Sequence, residues 1–203
     1  MPFQRLSDTQ RDALKEVSNI GMGHAATALS QMVGRQIDIH VPQVMLLPLA
    51  EVPEHLGGAE TLMAGIFLAI EGETSGSILL LFPGESACHL CSVLLGEELD
   101  SLESEHAVST LKEVGNILSS AYLNALGSLV GKTLLPSIPG FAYDMAGALV
   151  DALLINLGRT GDLALMVETE FGGSLGNARK VQGHFFLIPD PETCDFFFRE
   201  TMS

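Results

Sequence analysis

Apolar residues recur at three- and four-residue steps from Leu14 through Val17, Gly21, Ala25, Ala28 and Leu29 to Met32, with charged and small polar residues between them. That spacing predicts an amphipathic helix over residues 8–33. Ser7-Asp8-Thr9-Gln10 fits a capping box at its start, and Gly34 stands where a helix C-terminal glycine belongs. The pattern returns in Leu111 to Gly131, and predicts a second long helix from about Glu105 to Val130. Glu16 and Glu113 are 97 residues apart, and at that offset Leu14, Lys15, Glu16, Val17, Asn19, Ile20, Ala28, Leu29, Val33 and Gly34 each meet their own residue type. The match runs past the helices, since Pro42 meets Pro139. Self-similarity at a fixed spacing marks a duplicated structural unit.

Between the helices the period shortens to two. Gln36 to Leu47 reads as a strand, with Ile37, Ile39 and Val41 alternating against Asp38, His40 and Gln43. Pro48 to Gly58 is a connection with room for a helical turn. Thr61 to Ile70 and Ser77 to Phe82 are strands joined by a glycine-bearing hairpin, Glu71 to Gly76. A short helix follows at about Ser86 to Leu95, then an acidic hinge, Gly96 to Glu103. The second half repeats the order. Thr133 to Ala142 is extended but broken by Pro136, Pro139 and Gly140. Met145 to Leu157 is an amphipathic helix, Asp162 to Phe171 and Gln182 to Ile188 are paired strands, and Glu192 to Arg199 is a terminal helix. Gly76 and Glu85 meet Gly183 and Glu192 at an offset of 107, which points to one insertion at Gly172 to Val181. The expected fold is therefore α+β. It is a single pseudo-two-fold domain from an internal duplication, with halves at about 8–98 and 104–201, in which an antiparallel sheet carries two long exposed helices.

At roughly 100° per residue, Leu14, Val17, Gly21, Ala28 and Met32 fall on one stripe of the first helix, and Glu16, Asn19, Gly23, Thr27 and Ser30 on the opposite face. The second helix repeats the outer face with Glu113, Asn116, Ser120, Asn124 and Gly127. Glu and Asn three residues apart are neighbours on a helix surface. Asn is a poor helix former because its amide competes with the backbone, so its use at the same mid-helix place twice asks for a chemical reason.

Composition narrows the classes. The 203 residues are 47% hydrophobic and 17% charged, a globular balance with room for a sizeable core. Ten Lys and Arg against 25 Asp and Glu leave a formal charge of −15. That argues against nucleic acid, whose binding needs Lys and Arg on phosphates, and suits a partner with a basic patch. No apolar run reaches membrane-span length, so membrane insertion is not expected. The N-terminus lacks the order of a secretory signal, and three cysteines fit a reducing cytoplasm. Gly21-Met22-Gly23-His24-Ala25-Ala26 matches a dinucleotide fingerprint in letters, but follows a helical pattern instead of a strand. Cys88-His89-Leu90-Cys91 lacks a second ligand pair for zinc and sits in an apolar helix, which favours core packing. The six histidines show no metal-ligand spacing, and no serine has a nucleophile-elbow context.

Asn is no base near neutral pH, but its amide offers both an acceptor and donors and so can hold a water. Orienting an attacking water is a recognised contribution to phosphoryl transfer, where positioning dominates. An exposed Glu can anchor a basic side chain. Such a site is half a site, completed by a docked protein that brings the phosphate and its metal ion.

ALKEVSNIGMGHAATALS and LKEVGNILSSAYLNALGSLVG resemble the duplicated signature of the CheC/CheX/FliY family of chemotaxis phosphatases, over nearly the whole chain. The resemblance implies hydrolysis of the aspartyl phosphate of the response regulator CheY. Asn19 and Asn116 would orient the water, and Glu16 and Glu113 would pair with a regulator lysine. The chain would need no cofactor of its own, Mg²⁺ being held by the regulator. The resemblance also implies a second partner, the receptor deamidase CheD, met by the helix Met145 to Leu157 with Asp151 as a contact. A cytoplasmic monomer is expected, since an internal duplication can replace a dimer. Two other classes stay open: an adaptor that binds CheD with little catalysis of its own, and a metal hydrolase built on the histidines.

Overall fold

The computed structural model describes residues 7–157, 163–173 and 181–190. Its first half runs α1 (Asp8–Val33), β1 (Ile37–His40), β2 (Val44–Pro48), a 3-10 turn (Leu49–Glu51), α2 (Val52–His55), β3 (Leu62–Gly72), β4 (Gly76–Pro83) and α3 (Gly84–Leu95). The second runs α4 (Glu105–Val130), β5 (Leu134–Pro136), β6 (Gly140–Met145), α5 (Ala146–Leu157), β7 (Leu163–Gly173) and β8 (Val181–Pro189). The terminal helix expected at Glu192 to Arg199 lies outside the described residues.

Capping chemistry sets both ends of the long helices. The Ser7 hydroxyl accepts from the Gln10 amide while the Gln10 side chain accepts from the Ser7 amide. Ser104 accepts from the Ala107 amide in the same way. Gly34 and Gly131 close the helices at φ 65°, a left-handed conformation that glycine adopts without a side-chain penalty. Start and stop signals are thus both 97 residues apart.

The eight described strands form one antiparallel sheet in the order β1-β7-β8-β4-β3-β5, with β2 also pairing β7 and β6 also pairing β3. β1 and β2 are one strand in two pieces along the same neighbour. They are interrupted at Val41-Pro42-Gln43, where proline has no amide hydrogen for the ladder. Pro139 marks the same interruption between β5 and β6. The continuous strand expected over Gln36 to Leu47 is therefore corrected to two, and β6 runs on through Met145 so that α5 starts one residue later than expected.

The pairing is symmetric in detail. Gly72 opposes Leu134, and Gly173 opposes Ile37. Leu62 opposes Met145, and Leu163 opposes Pro48. The first half's edge strands therefore lie on the second half's β7, and the second half's on β3. This register also corrects the late offset. Leu62 and Leu163 are 101 apart, and since Ile70 opposes Gly76 as Phe171 opposes Val181, β4 maps onto β8 at 105. The extra residues enter in two steps, one before β7 and one in the hairpin, so Gly76 corresponds to Val181 and not to Gly183.

Side chains alternate across the sheet. Ile78, Leu80, Phe82, Val167, Phe185 and Leu187 face a core shared with α1, α3 and α4. Leu79, Leu81, Met166, Phe186 and Ile188 face a second core closed by α2 and α5. The central strands are covered on both sides, which is why they read as near-continuous apolar runs. The expected two long helices on an antiparallel sheet are present, with a further helical layer behind it. No described helix is long and apolar enough to cross a membrane.

Cys91 is buried, its thiol directed to the Ala107 carbonyl at 3.7 Å. Burial, and secondarily the neighbouring Cys88, pushes its pKa up to about 12. Burial, then the Asp100 charge, pushes Cys88 up as well. Neither is the low-pKa thiolate that redox or metal chemistry uses.

On β8, the Nδ1 of His184 is buried with no hydrogen-bond partner among the described residues, and the ring stacks on Phe186 at 6.5 Å. Burial lowers its pKa from 6.5 to about 4. Between those values the unfolded chain binds the extra proton, so this group's contribution to stability is whole above pH 6.5 and drains away as pH falls toward 4. The expected result is a drop in melting temperature from about pH 7 to about pH 5 that shrinks in His184→Leu. An undiminished drop in that variant would assign the acid sensitivity elsewhere.

Candidate functional site

Glu16 and Asn19 stand exposed on the outer face of α1, while Leu14, Val17, Ser18, Gly21, Met22, Ala25, Ala26 and Leu29 turn inward. On α4, Glu113 is exposed and Asn116 half-buried, over an inner stripe of Leu111, Val114, Gly115 and Leu118. None of the four side chains is engaged in a hydrogen bond or ion pair with another described residue. Their polar groups are left to solvent or to a partner. The two pairs stand on separate helices, Glu16 and Asn19 on α1 and Glu113 and Asn116 on α4.

The helical faces differ from expectation at their C-terminal ends. Ser30 turns inward: its hydroxyl donates to the Ala26 carbonyl at 2.7 Å and accepts from the Ile37 amide at 2.9 Å, tying α1 to β1. Gly127 is buried, and a side chain there would meet the Lys132 carbonyl oxygen at 2.5 Å. Met32, placed on the inner stripe by helical spacing, is 47% exposed. Helices crossing at an angle diverge away from the contact point, so end residues on the inner stripe lose their cover.

The crossing itself lies at Gly21. A Cβ on this residue would stand 2.9 Å from the Cα of Tyr122, so only glycine lets the two backbones approach this closely. Gly23, its companion in the fingerprint-like stretch, has open space around it. Beneath the crossing, Tyr122 is fully buried against Phe185, ring centroids 4.6 Å apart. Burial pushes its phenol up to about 12, partly offset by the nearby Ser18 hydroxyl. Ser18 directs its own hydrogen to the Leu14 carbonyl at 2.7 Å, and the tyrosine hydroxyl has no hydrogen-bond partner among the described residues.

The N-terminal half of α1 lies beside the C-terminal half of α4, and they enclose an open groove of about 440 Å³. Glu16, Ile20 and His24 line one wall, and Asn124, Ser128 and Leu129 the other. Ile20 and Leu129 are 47% and 45% exposed. Sequence reading placed Asn124 on the outer face but missed Ile20, His24 and Leu129 as a set. The repeated exposure of Met32 and Leu129, 97 residues apart, is intelligible only once the crossing is known.

Asp151 is exposed on α5, whose Leu149, Val150 and Leu153 pack into the second core. The sheet separates it from both Glu/Asn pairs. Among the described residues no group of three or more His, Cys, Asp or Glu is placed to hold a metal ion.

The CheC-like family matches residues 10–46, which take in the first Glu/Asn pair. The CheY-P phosphatase CheC of Bacillus subtilis (strain 168) is 35% identical over 200 residues, covering 97% of this chain and 95% of that one. Among solved structures, Thermotoga maritima FliY superposes with a TM-score of 0.77 at 20% identity, over 97% of this chain and 98% of that one. A chain of the CheX-CheY-BeF3-Mg²⁺ complex from Borrelia burgdorferi superposes with a TM-score of 0.51 at 20% identity, over 83% of this chain and 94% of that one.

Proposed function

The chain belongs to the CheC-like family, and from that membership we propose that it is a hydrolase that dephosphorylates the response regulator CheY. Its relative in Bacillus subtilis is a CheY-P phosphatase, and a protein of similar fold has been captured with CheY, BeF3 and Mg²⁺. The observation that carries the reading to residues is the pair of uncommitted Glu/Asn sets, one per long helix, at matched positions facing outward.

In this reading each site is completed by the regulator. Asn19 or Asn116 enters the regulator's phosphorylation site, its carbonyl accepting from a water and its NH₂ donating to a phosphoryl oxygen. The water oxygen attacks phosphorus in line, the bond from phosphorus to the aspartyl oxygen breaks, and the carboxylate leaves with that electron pair. The water's proton passes to the phosphate or to solvent. Mg²⁺ belongs to the regulator, where it neutralises charge on the phosphoryl oxygens. Glu16 and Glu113 each pair with a basic side chain of the docked regulator. The chain acts as a cytoplasmic monomer, and α5, with Asp151 and the 78% exposed Ile155, is the surface proposed for CheD.

The test is the decay of phosphorylated CheY with Mg²⁺ and catalytic amounts of the chain. Acceleration is expected, and an unchanged decay would remove the phosphatase reading and leave the CheD-adaptor one. Glu16→Ala with Glu113→Ala should weaken regulator binding by about 2–5 kcal/mol if the ion pairs lose their water on docking. A loss of about 0.2–1 kcal/mol would mean that they stay hydrated.

A further inference from the structure

We infer that the regulator site of α1 is completed by α4: the groove wall formed by Asn124, Ser128 and Leu129 receives the basic side chain of the regulator that pairs with Glu16. This rests on the reading given under Proposed function and assigns residues to it that the Glu/Asn pair alone does not name.

Four observations carry it. Glu16 is itself a wall of the groove, so whatever docks on Glu16 meets the α4 wall at the same time. Glu16 is the one Asp, Glu, Lys or Arg in the lining, so a cationic occupant finds an anion and no fixed cation. Beside that carboxylate the exposed faces of Ile20 and Leu129 provide apolar surface, which suits a side chain with a hydrocarbon stem and a charged tip, such as lysine. The Asn124 and Ser128 side chains supply further acceptors for an ammonium group.

The groove also makes the two sites unlike. At the offset of 97, His24 corresponds to Ala121, Asn124 to Thr27 and Ser128 to Gln31, so the imidazole has no counterpart at the Glu113 end and the amide and hydroxyl exchange places there. The apolar rim does recur, Leu129 corresponding to Met32. A residue on the second helix thus serves the first helix's pair, across the crossing at Gly21.

The experiment isolates one site at a time. Asn116→Ala leaves only the α1 site and Asn19→Ala only the α4 site. Leu129→Lys, which sets a like charge against the arriving cation, is introduced into each background, and kcat/KM for phosphorylated CheY is read. The expected result is roughly a ten-fold lower kcat/KM in the Asn116→Ala background, the equivalent of about 1.4 kcal/mol. In the Asn19→Ala background kcat/KM should change much less. Leu129→Gln, which adds no charge, should give a smaller loss in the same direction. Equal losses in both backgrounds, or none in either, would overturn the crosswise site. Failure of the phosphatase reading is a separate outcome, seen as no acceleration of the decay by the unaltered chain.

Discussion

Phosphorylated CheY should decay at least about 100-fold more slowly with the Asn19→Ala/Asn116→Ala double variant than with the unaltered chain, approaching the regulator's own rate. The magnitude follows from what the amide supplies. It fixes a water at the phosphorus, and loss of such positioning by about one ångström is enough for a hundred-fold effect. Alanine keeps the helix and removes both the acceptor and the donors. Asp is a harsher replacement than its size suggests, because it exchanges the NH₂ donors for negative charge facing a phosphoryl group. Each single variant should retain the activity of the other helix, since the pairs stand on separate helices. Asn19 is exposed and Asn116 half-buried, without hydrogen bonds to other described residues, so stability should hardly move. A double variant that keeps full activity with an intact fold would remove Asn from the mechanism.

The largest effect on stability is expected from Gly21→Leu, with Gly21→Ala already harmful. Glycine to alanine in an open helix normally adds up to about 1 kcal/mol. At Gly21 the new Cβ would lie 2.9 Å from the Tyr122 Cα, a backbone atom that cannot rotate aside. Forcing the helices apart costs about 1–3 kcal/mol for such overpacking, and more for leucine. For a chain of this size each kcal/mol is worth about 2–4 °C in melting temperature. Gly23→Ala is the matched control, because nothing lies within 4 Å of its added Cβ. Thermal unfolding should therefore move down for Gly21→Ala and up for Gly23→Ala, two residues apart in one helix. A rise for both would show that the crossing is looser than the contact at Tyr122 implies.

The local parts of this molecule were legible from the sequence. Helix boundaries were readable because Ser7, Gly34 and Gly131 act through neighbours within one turn. The outward placement of Glu16, Asn19 and Glu113 followed from helical period alone. The matched prolines, Pro42 and Pro139, were visible as a repeat, but their role as breaks in a strand was not, since it depends on a ladder with a distant neighbour. The offset of 107 misled because it was set by two coincident residue types, Gly76 with Gly183 and Glu85 with Glu192, where the register of β7 against β8 decides. Met32 and Ser30 changed faces because periodicity describes one helix in isolation, and the crossing partner and β1 decide which end positions stay covered. The groove was illegible for the same reason: its walls, from His24 to Asn124 at the nearest, are 100 or more residues apart in the chain.

The exchange of edge strands has a consequence for how the two sites are lost. Removing residues 1–50 would take α1 away, but would also strip β7 of both segments that satisfy its outer amides and carbonyls. The mirror deletion would bare β3. Truncation therefore reaches past the intended half, and silencing one site cleanly requires point substitution. On heating, the sites should disappear together, although chemistry can switch them off one by one.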